Sequence, residues 1–584
     1  MQLRSFSSIA LATVAYIEIV NAGFPITGVQ TGVNSASGAT PPRQNILDLY
    51  NDQAQFSLYI QALKSFQQVD ENNLTSYFQV AGIHGRPYVS WDNVGSDPTG
   101  TRNGILTGYC THGNTLFPTW HRPYLALYEA SSLDLLSASF LTILQQLLAG
   151  FVQAAAKTYN SSNLTSYQTA ADNFRIPFWD WAAVPQRFPD VMTWPSVSIN
   201  TPSGRRNVTN PLYRYTFLNH PEPAKWFPTD QETYLGSQPW TIRQPDTNNV
   251  SNEASMESQF VKEGQFLSDQ VWSVFAKTRN YNNMSTASNK GNAFEAPHGT
   301  VHVLIGGNGH MTYLSFSAFD PAFFLHHANV DRQIAMWQAI YPTKWLQPEA
   351  AASGTWNIYP NTRIDENTPL APFTSSDGKT LYTSATSRST QKFGYSYPDV
   401  PYAQFPNSSS GLSANVTARV NQLYNGDGHL GTWPAKRSVR VSGLEKKTID
   451  REWSVAVEVS NAAVSEPFAV VLTVNNKLVG KMVVLHTPTK VELEAGADRC
   501  THAEFTLRNA LHGIEACDVP AVVAYLKGNL RWSVVRNPDG CVVSDVQGLE
   551  IEVADEIVEP ANDISMFPSY SGRTVHPEIT AGMF

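Results

Sequence analysis

The stretches PHGTVH at residues 297–302 and DPAFFLHHANVD at 320–331 decide how the rest of the chain is read. In the first, Pro297 suits a helix start, and His298 and His302 stand four residues apart. Four residues of helix rise about 6 Å and return to nearly the same face, so both rings can reach one metal ion. The second stretch is apolar up to the pair His326–His327 and continues as the helical segment HHANVDRQIAMWQAI. Neighbours on a helix point about 100° apart, so one of the pair supplies a third ligand and the other is left for hydrogen bonds around the site. Asp331, four residues after His327, can orient a ligand ring or make an ordinary contact along the helix.

A second group of imidazoles lies upstream, at His84, His112 and His121. His121 opens an aromatic-rich helix, and Glu129, on the same face, is a candidate to orient its ring. Half of the 14 histidines fall in these two groups, which sets them apart from isolated surface or core histidines. Neutral imidazole suits Cu, Zn, Fe or Ni. Two three-histidine sets without Asp or Glu ligands leave open coordination positions, whereas hydrolytic two-metal centres usually carry bridging carboxylates. A dicopper oxygen-handling centre therefore ranks above a dizinc hydrolase.

The chain has 584 residues, and 42% of them are hydrophobic, which excludes a disordered chain. Its net charge of −9 argues against nucleic acid as a partner. Residues 1–22 read as a secretory signal, with Arg4 before an apolar run and a small-residue cleavage site at Ala22. Sequons at Asn73, Asn160, Asn163, Asn207, Asn249, Asn283, Asn407 and Asn415 support a secreted, N-glycosylated chain. No other stretch has the length of uninterrupted apolar sequence that a membrane span requires.

Residues 23–400 read as a mainly helical domain. Leu133 to Lys157 is expected to form a core helix, and 195–252 and 350–389 to form surface loops. Residues 401–440, including FPNSSSGLSANVT and the dibasic pair Lys436–Arg437, read as a polar linker with a candidate processing site. From 441 to 584 the pattern has period two. Trp453, Val455, Val457 and Val459 share one face, and Phe468, Val470, Leu472 and Val474 share another before the turn Asn475–Asn476, so a β-sandwich is expected. The fold class is α + β in two domains. Of the cysteines, Cys500, Cys517 and Cys541 allow one bridge in this second domain, while Cys110 stands alone in the first.

HGNTLFPTWHRPYLALYE at 112–129 and DPAFFLHHANVD at 320–331 resemble the two copper-site signatures of the type 3 copper proteins: tyrosinases, catechol oxidases and molluscan hemocyanins. Pro42–Arg43, Tyr395-Ser396-Tyr397 and IPFWDW at 176–181 resemble further family segments. The likeness covers 43–400, and residues 441–584 are similar in position to the C-terminal domain of fungal tyrosinase proenzymes. The resemblance implies a four-helix bundle around two copper ions, with His84, His112 and His121 on one ion and His298, His302 and His327 on the other. It leaves His326 as a neighbour that binds neither. It implies a thioether between Cys110 and His112, a water held by Glu295, and a pocket shaped by Phe323 and Val303. At Gly299, many strong monophenol hydroxylases carry Asn or Asp.

The reaction implied is O₂-dependent ortho-hydroxylation of monophenols and oxidation of o-diphenols to o-quinones, as in melanin formation. The chain would be latent under its C-terminal domain until cut between about 400 and 440. Alternatives on the same scaffold are a catechol oxidase without hydroxylation, a redox-silent biosynthetic enzyme, and an oxygen carrier. One histidine-rich domain without a repeat argues against the last.

Overall fold

The computed structural model describes residues 23–582 apart from 96–106, 131–146, 184, 221, 223–226, 228–232, 426–449, 486–492, 495–498, 512, 538–539 and 545. The signal segment 1–22, the pair Lys436–Arg437 and most of the expected helix from Leu133 lie outside the described residues. The end of that helix is seen as Leu148–Ala156.

The first domain is mainly helical, and its core runs from Ile26 to Tyr424. At its centre stands the helix Ala322–Ile340, buried on nearly every face although His326, His327, Asn329, Asp331, Arg332 and Gln333 lie along it. The helix Phe117–Glu129 packs beside it, entered through Pro118, which costs nothing in a first turn. The helix Glu295–Gly306 packs against the long helix Glu253–Lys277, whose N-terminus is capped by the Asn252 side chain.

The second domain is the expected sandwich, two four-stranded antiparallel sheets. One sheet runs in the order Cys500–Thr506, Asp450–Ser460, Glu550–Glu559, Ser569–Val575. The other runs Val542–Val543, Leu530–Arg536, Phe468–Val474, Lys477–Val484. The alternating residues named from sequence fill the space between the sheets. Asn475 and Asn476 make the tight hairpin turn with φ of 49° and 60°, a conformation Asn tolerates better than most residues.

Three expectations change. Residues 401–440 do not form a linker throughout, because Ser409–Tyr424 is a helix that packs on Glu253–Lys277 and Ala322–Ile340. Leu412, Val416, Val420 and Tyr424 recur every four residues along its buried face, and the intervening Ser, Asn and Thr residues conceal that spacing in the sequence. The first domain therefore extends past 400. Second, residues 350–389 are not simply surface loop, since Trp356, Ile364, Leu370, Phe373 and Tyr382 enter the core. Likewise, 195–252 contains the hairpin Ser196–Thr201 with Gly204–Thr209 and buries Leu212 and Tyr215. Third, no disulfide joins any of the four cysteines.

The domains meet over a mixed interface. Phe266, Ala287 and Ala296 of the first domain belong to the core of the second. Lys277 reaches Glu452 and Glu556, each at 3.0 Å, and Lys481 reaches Glu263 at 3.1 Å. The His502 amide donates to the Ala287 carbonyl, which ties a sheet edge to the first domain.

Candidate metal centre

Four of the seven histidines in the two groups have a ring nitrogen on a backbone carbonyl, His298 most loosely, with Nδ1 at 3.3 Å from the Glu295 carbonyl. Nδ1 meets the Leu314 carbonyl in His84 (3.0 Å), that of Phe117 in His121 (2.7 Å) and that of Met311 in His302 (2.6 Å), leaving Nε2 to point inward. His84 follows the short helix Tyr77–Gly82, and Gly108 crosses directly over its carbonyl. A Cβ at 108 would collide with that backbone, so glycine is required there. His112 sits in a loop, its ring held beside Cys110, whose Sγ lies 2.9 Å from His112 Nδ1 and 3.3 Å from His121 Nε2.

In the second group the Nε2 atoms of His298, His302 and His327 converge at 3.1, 3.3 and 3.4 Å from one another. Three inward nitrogens at such separations cannot satisfy one another as neutral rings with a single proton each, but they suit a shared cation. The first group leaves His84 Nε2 buried without a hydrogen-bond partner, which fits the same reading. Each group, the first counted with Cys110 and the second with His326, could hold a metal ion. The groups adjoin, with His121 stacked on His327 at 4.3 Å between ring centroids. Burial is the main cause that lowers the imidazole pKa values, His121 to about 3 and His302 to about 4, so the rings are neutral and ready to ligate at ordinary pH.

Phe117 lies between His121 and His298, at 4.8 and 4.9 Å. Phe323 lies between His84 and His327, at 4.7 and 4.1 Å. Phe323 is therefore packing between the rings, and it does not line the described cavity at the centre. That cavity, of about 50 Å³, is bounded by His112, Glu295, His298 and Gly299 from the first domain and by Val483, Leu485 and Arg499 from the second. Val303 also stays outside it, packed against Ala469 and Val483 of the sandwich. A Cβ added at Gly299 would lie 3.6 Å from Leu485 Cδ1, in ordinary contact.

Glu295, in the first turn of its helix, accepts hydrogen bonds from the Gly113 amide (2.7 Å), the Thr286 hydroxyl (2.8 Å) and the Ala287 amide (2.9 Å). Burial raises its pKa in spite of these bonds.

Glu129 and Asp331 do not touch the histidine rings they were expected to orient; arginines claim them. Glu129 binds Arg43 at 2.7 Å and accepts the Ile176 amide at 2.6 Å. Asp331 receives Arg122 at 2.6 Å and the hydroxyls of Tyr395 and Tyr397 at 2.6 and 2.7 Å, with Arg43 at 3.5 Å. The Arg43 guanidinium carbon lies over the Tyr395 ring, 3.5 Å from its centroid, and the Arg43 backbone amide donates to the Ser396 carbonyl. Burial alone would raise the Asp331 carboxyl, but Arg122, Arg43 and the two hydroxyls hold it below the usual carboxylate range. Arg122 was missed although it stands next to His121. Helix spacing shows which side chains share a face, but not what lies opposite. Asp180 of the IPFWDW segment likewise pairs with Arg332 at 3.0 Å, so this stretch frames the core beneath the histidines.

Residues 74–340 match the model of the common central domain of tyrosinase, and 452–553 match that of the tyrosinase C-terminal domain. A tyrosinase from Podospora anserina is 33% identical over 68% of this chain and 68% of its own length. A tyrosinase from Neurospora crassa is 33% identical over 75% of this chain, which spans about two thirds (65%) of that relative. The fold is shared with recombinant mushroom tyrosinase, at a TM-score of 0.78 and 24% identity over 95% of this chain and 99% of that one. No helix among the described residues is long and apolar enough to cross a membrane. With both domain models matched in order and two histidine groups in the helical domain, the chain belongs to the tyrosinase family, whose members are type 3 copper proteins.

Proposed function

We propose that this protein is a secreted, N-glycosylated copper oxidase that uses O₂ to ortho-hydroxylate small monophenols and to oxidise o-diphenols to o-quinones, and that its C-terminal domain keeps it latent. The observation that carries this reading is the adjoining pair of histidine groups beneath one small cavity. His84, His112 and His121 would hold one copper ion, and His298, His302 and His327 the other. The copper pair, when bound, supplies the binding and reduction of O₂. The chain supplies the rest. Burial keeps the imidazoles unprotonated, and Phe117 and Phe323 fix the rings from the sides. The Glu295 carboxyl, whose pKa burial raises, is a better proton acceptor for a phenol hydroxyl than a solvated glutamate. Exposed side chains at Asn160, Asn163, Asn207, Asn249, Asn407 and Asn415 support glycosylation.

Oxygen uptake by copper-loaded, trimmed protein tests the reading, with tyrosol in one cell and 4-methylcatechol in the other. Uptake with both establishes tyrosinase chemistry, and silence in both removes the proposal. Uptake with catechol alone favours the second reading, a catechol oxidase, which Gly299 supports because it has no side chain to place a proton-accepting water. Gly299→Asn in the trimmed protein is expected to raise the ratio of tyrosol to catechol turnover by about tenfold or more, part of the roughly 100–10,000-fold that a positioned general base typically contributes. An unchanged ratio would remove position 299 from the hydroxylation step.

The distance from Cys110 Sγ to the His112 ring supports a thioether. Its formation joins sulfur to a ring carbon and passes the two displaced hydrogens to O₂. The tryptic peptide containing both residues is expected to be lighter by two hydrogen atoms after copper loading in air. A peptide of unmodified mass after loading would refute the bond.

A further inference from the structure

His326 is fully buried, yet neither of its ring nitrogens has a hydrogen-bond partner. A neutral imidazole carries one donor and one acceptor, and burying both unpaired forfeits their solvation, so such a group calls for an explanation. The rings of His84, His121 and His302 are each anchored by Nδ1 on a backbone carbonyl, but His326 has no such anchor. Its ring lies against the second group. It stacks on His298 at 5.0 Å and 15°, and it stands edge-on to His302 at 4.8 Å and to His327 at 5.0 Å. One ligand atom from each of His298, His302, His326 and His327 lies within 4.8 Å of every other. The Trp181 ring also adjoins it, 5.8 Å away between centroids, and its Nε1 is likewise buried without a partner.

We propose that His326 is a reserve ligand of the second metal site: the ion can be held by His298 and His302 with either His327 or His326. Adjacent residues on one helix normally offer only one ring to a given ion. Here His298 and His302 lie across from the helix end that carries both, so each neighbour reaches the same group of nitrogens. A buried ion that can change its third ligand in place need not fall back to two ligands when His327 lets go. The idea rests on the copper reading above, and the test separates the two.

Apoprotein is titrated with Cu(I) against a chromogenic Cu(I) chelator, and copper per chain is counted for wild type, His326→Ala, His327→Ala and the double variant. Two ions are expected in wild type and in each single variant, with the second ion in His327→Ala weakened by less than about 100-fold. The double variant is expected to keep only one. If wild type holds fewer than two ions, the copper reading fails and this one with it. If wild type holds two but His327→Ala holds one, or if the double variant still holds two, the reserve ligand alone is overturned.

A water shared between His326 and Trp181 is the competing account. His326→Gln in the His327→Ala background keeps hydrogen-bonding capacity without an imidazole. Retention of the second ion there would favour the water, and its loss supports ligation. Circular dichroism melting checks each variant, and His327→Gln replaces His327→Ala if the smaller side chain prevents folding.

Discussion

Cutting the chain between Asn425 and Asp450 and separating the C-terminal domain is expected to raise the phenol-oxidising rate of the copper-loaded protein by at least about tenfold, the factor that corresponds to only about 1.4 kcal/mol of closure. The cavity over the histidines is about 50 Å³, against roughly 300–1,000 Å³ for ordinary small-molecule pockets. Part of its wall is the end of the strand Lys477–Val484 together with Leu485, which packs over Gly299, 3.6 Å from where a Cβ there would lie. Cleavage alone is not expected to suffice. Phe266, Ala287 and Ala296 are shared with the sandwich core, and Lys277 pairs with two glutamates of the sandwich, so a nicked protein is expected to hold together. Activity should follow dissociation, measured by size-exclusion chromatography of nicked samples, rather than the appearance of cut bands. An intact chain as active as the separated first domain would end the shielding reading.

Replacing Asp331 by Ala is expected to cost roughly 3–5 kcal/mol, the range for removing one partner from a buried ion pair. Arg43 keeps Glu129, but Arg122 loses its only carboxylate partner among the described residues, and two tyrosine hydroxyls lose their acceptor. The urea midpoint of the first-domain transition reports the loss. The pH dependence has a defined sign. The folded pKa of Asp331 is held below its unfolded value, so its stabilisation is present above the ordinary aspartate pKa of about 3.9 and is lost as the pH falls through the depressed one. Asp331→Asn should remove that component of the acid-limb slope while wild type retains it. A substitution that lowers the unfolding free energy by less than about 1 kcal/mol would show that Asp331 is not the centre of this network.

How far the sequence could be read depended on the range of the interaction involved. Spacing of four along one helix was enough to bring His298 and His302 together, and strict alternation was enough to place Val455 and Val470 inside a sandwich. The turn at Asn475–Asn476 is equally local. Distant partners were not legible. Glu129 is on the face expected for it, but its partner Arg43 lies 86 residues away, and nothing in the helix pattern distinguishes an arginine from a histidine ring across the core. The helix Ser409–Tyr424 was concealed for a different reason, since its apolar positions are few and its Ser and Asn content matches that of a linker. The position of Val303 followed from neither, because the sandwich that covers it folds from residues more than 150 positions later.

The network around Asp331 also bears on the order in which the polypeptide leaves the ribosome. Arg43, Arg122, Asp331, Tyr395 and Tyr397 are drawn from almost the whole first domain. A nascent chain that has reached Asp331 holds both arginines but not the hydroxyls that complete the carboxylate's shell. Such far-separated contacts close late. Until Tyr397 is free, the helices that present the histidines lack their final clamp, so the first domain cannot be finished from its amino-terminal end alone.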